Sequence, residues 1–133
     1  MKWTPADEAE LKRLNLKDVV RKARKQDEFR LQCAVADLLA KYEGRLVYFH
    51  VPNGERRNAI TGARLKRMGA KRGVSDFVVL GNNRVEFWEL KAAKGQLSKE
   101  QKAFSRAVAS HGFTVHVIRS LDDAKERIQE MVK

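Results

Sequence analysis

The stretch Arg84-Val85-Glu86-Phe87-Trp88-Glu89-Leu90-Lys91 decides how the rest of the chain is arranged. Its closely spaced β-branched and aromatic residues predict a strand. Because side chains alternate along a strand, Glu89 and Lys91 leave the sheet on the same face. A surface ion pair on an edge strand is the common explanation of such spacing, and a carboxylate and an ammonium group arranged for chemistry are the alternative.

A second strand precedes this one, because Ser75–Gly81 is mostly apolar and only Asn82-Asn83 separates the two. Asn tolerates positive φ, so this pair predicts a two-residue hairpin turn. With that turn, Asp76 lies opposite Glu89 on one face, with Cβ atoms roughly 5 Å apart. Two carboxylates so close destabilise the hairpin unless positive charge lies between them, which a divalent metal beside Lys91 would supply. A slip of one residue would move the carboxylates to opposite faces and remove this prediction.

The composition indicates one basic domain. The 133 residues suit a single core, and 28 basic against 17 acidic residues leave a net charge of +11. This excess of positive charge points to a polyanionic partner, most often nucleic acid. The alternatives are a basic protein that binds an anionic membrane surface and one that has no particular partner. We expect no membrane span and no signal peptide, since no apolar run reaches about 20 residues. The single cysteine, Cys33, cannot form an internal disulfide, and we expect it to be a small core residue in a reducing, cytoplasmic environment.

The N-terminal part of the chain is predicted to be helical. Residues 1–25 are expected to form a basic helical extension, and residues 26–133 the main domain. The clearest helix is Asp27–Tyr42, whose apolar residues follow a 3-1-3-1-3 spacing. Glu28 lies on or beside this apolar stripe. Its carboxylate is either a favourable charge in the first helical turn or a group aimed at a functional site.

The most basic stretch, Glu55–Arg72, follows a predicted strand at Leu46–Val51. A short helix around Ala63–Met68 is expected within it. The stretch is either a solvated loop or an element that binds DNA phosphates. We favour the phosphate-binding element because the stretch leads directly into the proposed metal site. The candidate DNA-binding residues are Arg56, Arg57, Arg64, Lys66, Arg67, Lys71, Arg72 and, from the loop after the hairpin, Lys94.

The C-terminal part predicts a β-α-β unit. Ser98 and Gln101 match a capping box that opens a helix, Thr114–Arg119 is a strand, and a final helix spans about 120–132. The strands at 85–91 and 114–119 are then parallel and joined by a right-handed crossover. The predicted fold class is α/β, with a mixed four-stranded sheet flanked by helices in the order α-β-β-β-α-β.

Four features occur in order along the chain: Glu28 on a first helix, Gly73-Val74-Ser75-Asp76, Glu89-Leu90-Lys91 and Leu97-Ser98-Lys99-Glu100-Gln101. In this combination the chain resembles the PD-(D/E)XK nuclease superfamily and, within it, the VRR-NUC family, over roughly residues 27–124. Glu-x-Lys alone is a weak signal, but together with Gly-x-x-Asp and the Ser-x-x-Gln helix it is specific. One departure is Ser75, where the family usually has proline. Proline carries no catalytic group, so the departure concerns the local backbone and not the chemistry.

The resemblance implies a restriction-endonuclease-like core that cleaves DNA phosphodiesters with Mg²⁺, for which Mn²⁺ can substitute. It implies metal binding through Asp76, Glu89, the backbone carbonyl of Leu90 and, directly or through water, Glu28. Lys91 would position or activate the attacking water, or stabilise charge on the phosphate. Gln101 would orient Lys91 or the water in addition to capping its helix. The residues themselves agree, because hard carboxylate oxygens are the ligands that Mg²⁺ prefers.

The substrate and the class of function each have alternatives. Single-domain members of the family resemble Holliday-junction resolvases, which implies a homodimer that acts on branched DNA. A flap nuclease or a nonspecific nuclease is the alternative substrate class. The rival function is a non-catalytic DNA-binding module, which the net charge alone would support. That module leaves the opposed Asp76 and Glu89 beside Lys91 unexplained.

Overall fold

The computed structural model describes residues 4–6, 16–52 and 59–133, and the side chains of all of these except 16–20. A sheet flanked by helices accounts for most of them. The elements from residue 16 onward are α1 (Leu16–Ala40), β1 (Val47–His50), α2 (Ala59–Arg67), β2 (Phe77–Gly81), β3 (Arg84–Leu90), α3 (Lys99–Ala109), β4 (Thr114–Ile118) and α4 (Leu121–Met131).

The sheet is mixed and four-stranded, in the order β1-β2-β3-β4. Strand β2 is antiparallel to β1 and β3, and β3 is parallel to β4, as the predicted fold class requires. Asn82 and Asn83 take φ values of 51° and 62°, so the predicted two-residue turn joins β2 to β3. Because β3 lies between two other strands, the spacing of Glu89 and Lys91 is not that of an edge-strand ion pair.

Helices cover the two faces of the sheet. The buried core lies between one face and helices α1 and α4, and it consists of Val35, Leu39, Leu46, Phe77, Val79, Trp88, Leu90, Ile118, Ala124, Ile128 and Met131. Helix α3 packs on the opposite face, where the Phe104 ring meets the Phe87 ring edge-on with centroids 5.5 Å apart. Since side chains alternate along β3, Glu89 shares the α3 face with Phe87.

Helix α1 begins earlier than the apolar stripe predicts. It starts at Leu16 instead of Asp27 and ends at Ala40. No Gly or Pro lies between these ends, so nothing in the basic segment stops the helix from extending towards the N-terminus. The predicted boundary at residues 25 and 26 therefore falls within one continuous helix. The division into an extension and a main domain stays a prediction, and most of residues 1–15 lie outside the described part.

The environment of Cys33 differs from the expectation. Its side chain is exposed on α1, so its prediction as a core residue is wrong. The reason is geometric: α1 buries Val35 and Leu39 on one stripe, and Cys33 lies two residues from Val35, on a different side of the helix. None of the helices in the described part of the chain has the length and hydropathy that a membrane span requires.

Candidate active site

The opposition of Asp76 and Glu89 follows from the register of the β2–β3 hairpin. Phe77 pairs with Trp88 and Gly81 with Arg84, which is the register that the two-residue turn predicts. Asp76 directly precedes Phe77, and Glu89 directly follows Trp88. The predicted register is therefore confirmed, and the two carboxylates meet at the end of the hairpin that lies away from the turn.

The backbone of β3 contributes to this carboxylate pair. The Leu90 N–H donates to Asp76 Oδ2 over 2.8 Å. An extended residue directs its N–H and its C=O towards the same neighbouring strand, so the Leu90 carbonyl points to the Asp76 side as well. The next residue along, Lys91, donates its N–H in the other direction, to Ile118 of β4. Three oxygen-bearing groups predicted as ligands therefore converge at one place.

Glu89 is a buried carboxyl that pairs, among the described residues, with one cation, Lys91. Its side chain is 5% exposed, and Lys91 Nζ lies 3.8 Å from its Oε1. Burial is the largest cause that raises the pKa of Glu89, to about 8, and the negative charge of Asp76 is the second. A hydrogen bond with Asp76 and the charge of Glu28 also raise this pKa, whereas the positive charge of Lys91 lowers it. A group held this far from its usual pKa, in a cleft and beside a specific partner, is typical of a functional site.

Gln101 contacts Glu89 and not Lys91. Its Nε2 donates to Glu89 Oε1 over 2.8 Å, and its Oε1 accepts from the Ser98 N–H over 2.8 Å. The Gln101 N–H donates to Ser98 Oγ, so the predicted capping box is present at the start of α3. The Oε1 atom of Gln101 therefore caps the helix, and its Nε2 atom holds the Glu89 carboxylate.

Glu28 reaches the same region from α1. It lies three turns into the helix, so its charge is not a first-turn charge, and that reading is wrong. Its Oε1 would be 3.3 Å from a Cβ built on Gly95, which lies just beyond Lys91. Its charge also contributes to the raised pKa of Glu89. The Glu28 carboxylate therefore lies near the loop that follows Lys91, and its role at the site stays a prediction.

A polar cleft of about 240 Å³ opens beside the carboxylates, and Arg72, Gly73, Asp76, Glu89 and Gln101 are among the residues that line it. Gly73 has a φ of +82°, and its Cα lies so close to the first turn of α3 that an added Cβ would overlap the backbone there. Only glycine fits this contact, which brings Arg72 to the cleft. Among the described residues predicted to bind DNA, Arg72 is therefore the one that lines this cleft together with the carboxylates.

The remaining basic residues predicted to bind DNA either are not among those that line this cleft or lie outside the described part of the chain. Helix α2 carries Arg64, Lys66 and Arg67 in its last turn, all exposed, and it starts before the predicted helix, at Ala59. Lys71 and Lys94 are exposed on the loops before β2 and after β3. Arg56 and Arg57 lie outside the described residues.

Ser75 occupies the position where the family usually has proline. Its side chain is buried, at 1% exposure, and its Oγ has no hydrogen-bond partner within the described ranges. The hydroxyl neither reaches the carboxylates by a hydrogen bond nor caps an element. Its substitution for proline therefore leaves the carboxylate pair as predicted.

Arg119 is a residue of this region that sequence reasoning missed. Its Nη1 donates to the carbonyls of Ala92, Ala93 and Gly95 over 2.9, 3.3 and 2.8 Å. These carbonyls belong to the loop that follows Lys91 and faces Glu28. The guanidinium thus fixes a loop that has no secondary structure of its own. An arginine at the end of a strand carries no local signal of this contact.

The donor set fits a magnesium ion that keeps part of its water shell. Two carboxylates and a backbone carbonyl converge, and the burial of Glu89 beside Asp76, which raises the pKa of Glu89, is a setting that a cation would stabilise. Mg²⁺ is commonly held by one or two carboxylates with water and substrate phosphate filling the other positions. Within the described ranges, no three His, Cys, Asp or Glu side chains form a preformed metal-binding group. Glu28 therefore contributes charge to the site without completing a closed set of ligands.

Comparisons with known proteins agree with this geometry. The model of the VRR-NUC domain matches residues 11–122, which include all of the site residues above. A solved structure described as a VRR_NUC domain protein has a similar fold, with a TM-score of 0.60 and 21% identity over 79% of this chain and 87% of that one. No curated protein matches the chain. The chain belongs to the VRR-NUC domain family, whose members are generally nuclease-type domains.

Proposed function

We propose that this protein is a metal-dependent, structure-specific DNA endonuclease that hydrolyses phosphodiester bonds, with branched DNA such as a Holliday junction as substrate. The observation that carries the proposal is the pairing of buried Glu89 with half-buried Asp76, with Lys91 Nζ 3.8 Å from Glu89 Oε1, beside a cleft that Arg72 lines. Two carboxylates this close would destabilise the protein if they had only a structural role. A bound cation would balance the charges of Asp76 and Glu89, and a DNA phosphate would balance those of Lys91 and Arg72.

The residues have separate roles in this proposal. Asp76, Glu89 and the Leu90 carbonyl hold Mg²⁺, with Mn²⁺ as a substitute, and Glu28 adds negative charge directly or through water. When bound, the metal would polarise the phosphoryl oxygen and lower the pKa of a water molecule. Lys91 directs its ammonium group towards the charge that develops on the phosphate. Gln101 keeps Glu89 in place from the start of α3.

The path of the DNA follows from the basic residues near the cleft. Arg72 is placed for contact with the phosphate next to the scissile bond, and Lys94 lies on the loop that Arg119 fixes. Phosphate contacts carry no sequence information, so recognition is expected to depend on DNA shape. The further residues proposed to grip phosphates are Arg56, Arg57, Arg64, Lys66, Arg67 and Lys71.

A homodimer would suit a four-way junction, because a two-fold axis places two active sites for symmetric cuts. The second candidate for the substrate is a flap or a nonspecific duplex, which a monomer would serve equally well. A non-catalytic DNA-binding module is the candidate from a different class. The position of buried Glu89 next to Asp76 disfavours that module, since DNA binding alone gives no reason to bury one carboxylate beside another.

Cleavage of labelled four-way junction, flap and linear duplex DNA, each with Mg²⁺, Mn²⁺ or EDTA, tests the proposal. We expect paired symmetric nicks in the junction that need a metal. Asp76→Ala and Lys91→Ala are expected to reduce the rate by at least ~100-fold while the fold persists, because each removes a group that acts on the reacting phosphate. Lys125→Ala, on the exposed side of α4, is the matched control for loss of a positive charge.

The outcomes separate the candidates. Metal-dependent cutting of flap or duplex alone would keep the nuclease and reject the resolvase. Binding without cutting under every metal would reject the nuclease in favour of the binding module. Full activity of either alanine variant would reject the assignment of the active site.

A further inference from the structure

Hydrogen bonds hold both the side chain and the backbone carbonyl of Asp76. Its carboxylate accepts from the Leu90 N–H over 2.8 Å. Its backbone carbonyl accepts from the Val51 N–H over 2.8 Å and faces His50 Nδ1 at 2.8 Å. The carboxylate bond belongs to the hairpin, whereas both carbonyl contacts come from the end of β1. Strand β1 thus contributes to the position of a carboxylate that it does not carry.

The contact between His50 and the Asp76 carbonyl determines the tautomer of the imidazole. A carbonyl only accepts, so Nδ1 must carry the proton, and in the neutral ring Nε2 is then an acceptor. Gln32 Nε2 lies 3.3 Å from His50 Nε2 and 3.2 Å from Nδ1. Only the bond to Nε2 is available, because a protonated Nδ1 has no free lone pair. The hydrogen bonds therefore run in one direction, from Gln32 through His50 to Asp76.

The start of this chain of hydrogen bonds lies on the helix that carries Glu28. Gln32 follows Glu28 by four residues, so the two side chains lie on the same side of α1. Glu28 meets the loop at Gly95, beyond Lys91, and Gln32 meets His50 at the end of β1. One turn of α1 thus directs an amide towards His50 and a carboxylate towards the loop at Gly95.

We propose that Gln32 and His50 are positioning residues, which couple α1 to the Asp76 backbone and so set Glu28 and Asp76 in one geometry. The inference rests on the proposed function for its catalytic consequence, but the coupling itself is a property of the metal-free protein. His50 is exposed and Gln32 is half-buried, so their hydrogen bonds contribute little to global stability. Their effect is on the geometry of the site, where a displacement of about 1 Å can reduce a rate by roughly 100-fold.

Two substitutions of His50 distinguish positioning from a general loss of structure. In His50→Asn the amide nitrogen takes the place of Nδ1, so the donor to the Asp76 carbonyl is retained, but the Nε2 atom that faces Gln32 is lost. His50→Ala removes both. Gln32→Ala breaks the first bond of the chain, and Gln129→Ala, on the exposed side of α4, is its matched control. All four variants are expected to melt within about 3 °C of the wild type.

The first readout needs neither metal nor DNA. Hydrogen exchange followed by NMR reports on the Leu90 amide, whose acceptor is the Asp76 carboxylate. We expect His50→Ala and Gln32→Ala to speed exchange of this amide by at least roughly 10-fold, because the Asp76 side chain loses a fixed position. His50→Asn is expected to behave as Gln32→Ala does, because it also lacks the contact with Gln32, and Gln129→Ala is expected to exchange as the wild type does. Unchanged protection in His50→Ala would overturn the proposal.

The second readout is cleavage. We expect His50→Ala, His50→Asn and Gln32→Ala to lose roughly 10- to 100-fold in kcat, with the Kd for DNA in EDTA unchanged and with Gln129→Ala close to the wild type. An equal loss of DNA binding would make His50 a DNA contact and would overturn the positioning role. If the wild type cleaves nothing with any metal, the proposed function fails, and the exchange of the Leu90 amide still decides whether the coupling exists.

Discussion

Replacement of Glu89 by glutamine should stabilise the metal-free protein at alkaline pH. The Glu89 side chain is buried against Asp76, and its pKa is raised from 4.5 to about 8, first by burial and then by the charge of Asp76. At neutral pH without metal, the folded protein therefore keeps this carboxyl protonated, whereas the unfolded chain ionises it. Glutamine has nearly the same shape and carries no ionisable proton, so it removes the difference between the two states.

The sign and the size follow from proton linkage. Between pH 4.5 and 8 the folded protein binds one more proton at Glu89 than the unfolded chain does. The free energy of unfolding then falls by about 1.4 kcal/mol for each pH unit, or about 5 kcal/mol across this window. The stabilisation is complete below pH 4.5 and is lost as the pH rises through about 8. This loss is a large share of the roughly 5–15 kcal/mol by which domains are stable.

Urea denaturation in EDTA from about pH 5 to about pH 9 measures this effect. The difference in the free energy of unfolding between Glu89→Gln and the wild type should be near zero at the acidic end. It should grow to several kcal/mol in favour of the variant above pH 8. Glu126→Gln, exposed on α4, should show no such growth. Parallel pH profiles for the wild type and Glu89→Gln would refute the argument that Glu89 is buried and protonated.

Three further changes probe the backbone around the site. Gly73→Ala should lower the free energy of unfolding by at least ~2 kcal/mol, because Gly73 combines a φ of +82° with an overlap of the new Cβ and the start of α3. Gly62→Ala, inside α2 with open space around it, should instead raise that free energy by about 0.5–1 kcal/mol in the same urea titration. Ser75→Ala should raise that free energy by ~1 kcal/mol, since it deletes a buried hydroxyl without a partner, and a clear loss would reveal a bound water there. Arg119→Ala should release the loop 92–95, so limited proteolysis should cut this loop faster than in the wild type, and equal rates would contradict the clamp.

Much of the fold is visible in the sequence because its signals are local. The alternation in β3, the Asn-Asn turn and the capping box at Ser98 each depend on residues within a few positions of one another. All three are present in the structure. The expectations that failed, the start of α1 and the burial of Cys33, depend on where a helix stops and which side it buries, and local propensity leaves both open.

The partners of the site residues are less predictable, because they join parts of the chain that are far apart in sequence. The contact of Gln101 with Glu89, the clamp of Arg119 on the loop after Lys91 and the approach of Glu28 from α1 arise only when helices pack on the sheet. The sequence around each of these residues contains no pattern that predicts its contact partner. Their types and positions alone therefore point to a site without giving its geometry.

The sequence by itself determined that Asp76 and Glu89 face each other. Turn length and the alternation of side chains set the register of a hairpin, and both are local. Only the tertiary structure decided the pKa of Glu89 in this pair. The cover that α3 provides takes Glu89 out of water, and burial beside a second carboxylate raises its pKa to about 8. Burial depends on elements brought together from the whole chain, so no stretch of sequence contains it.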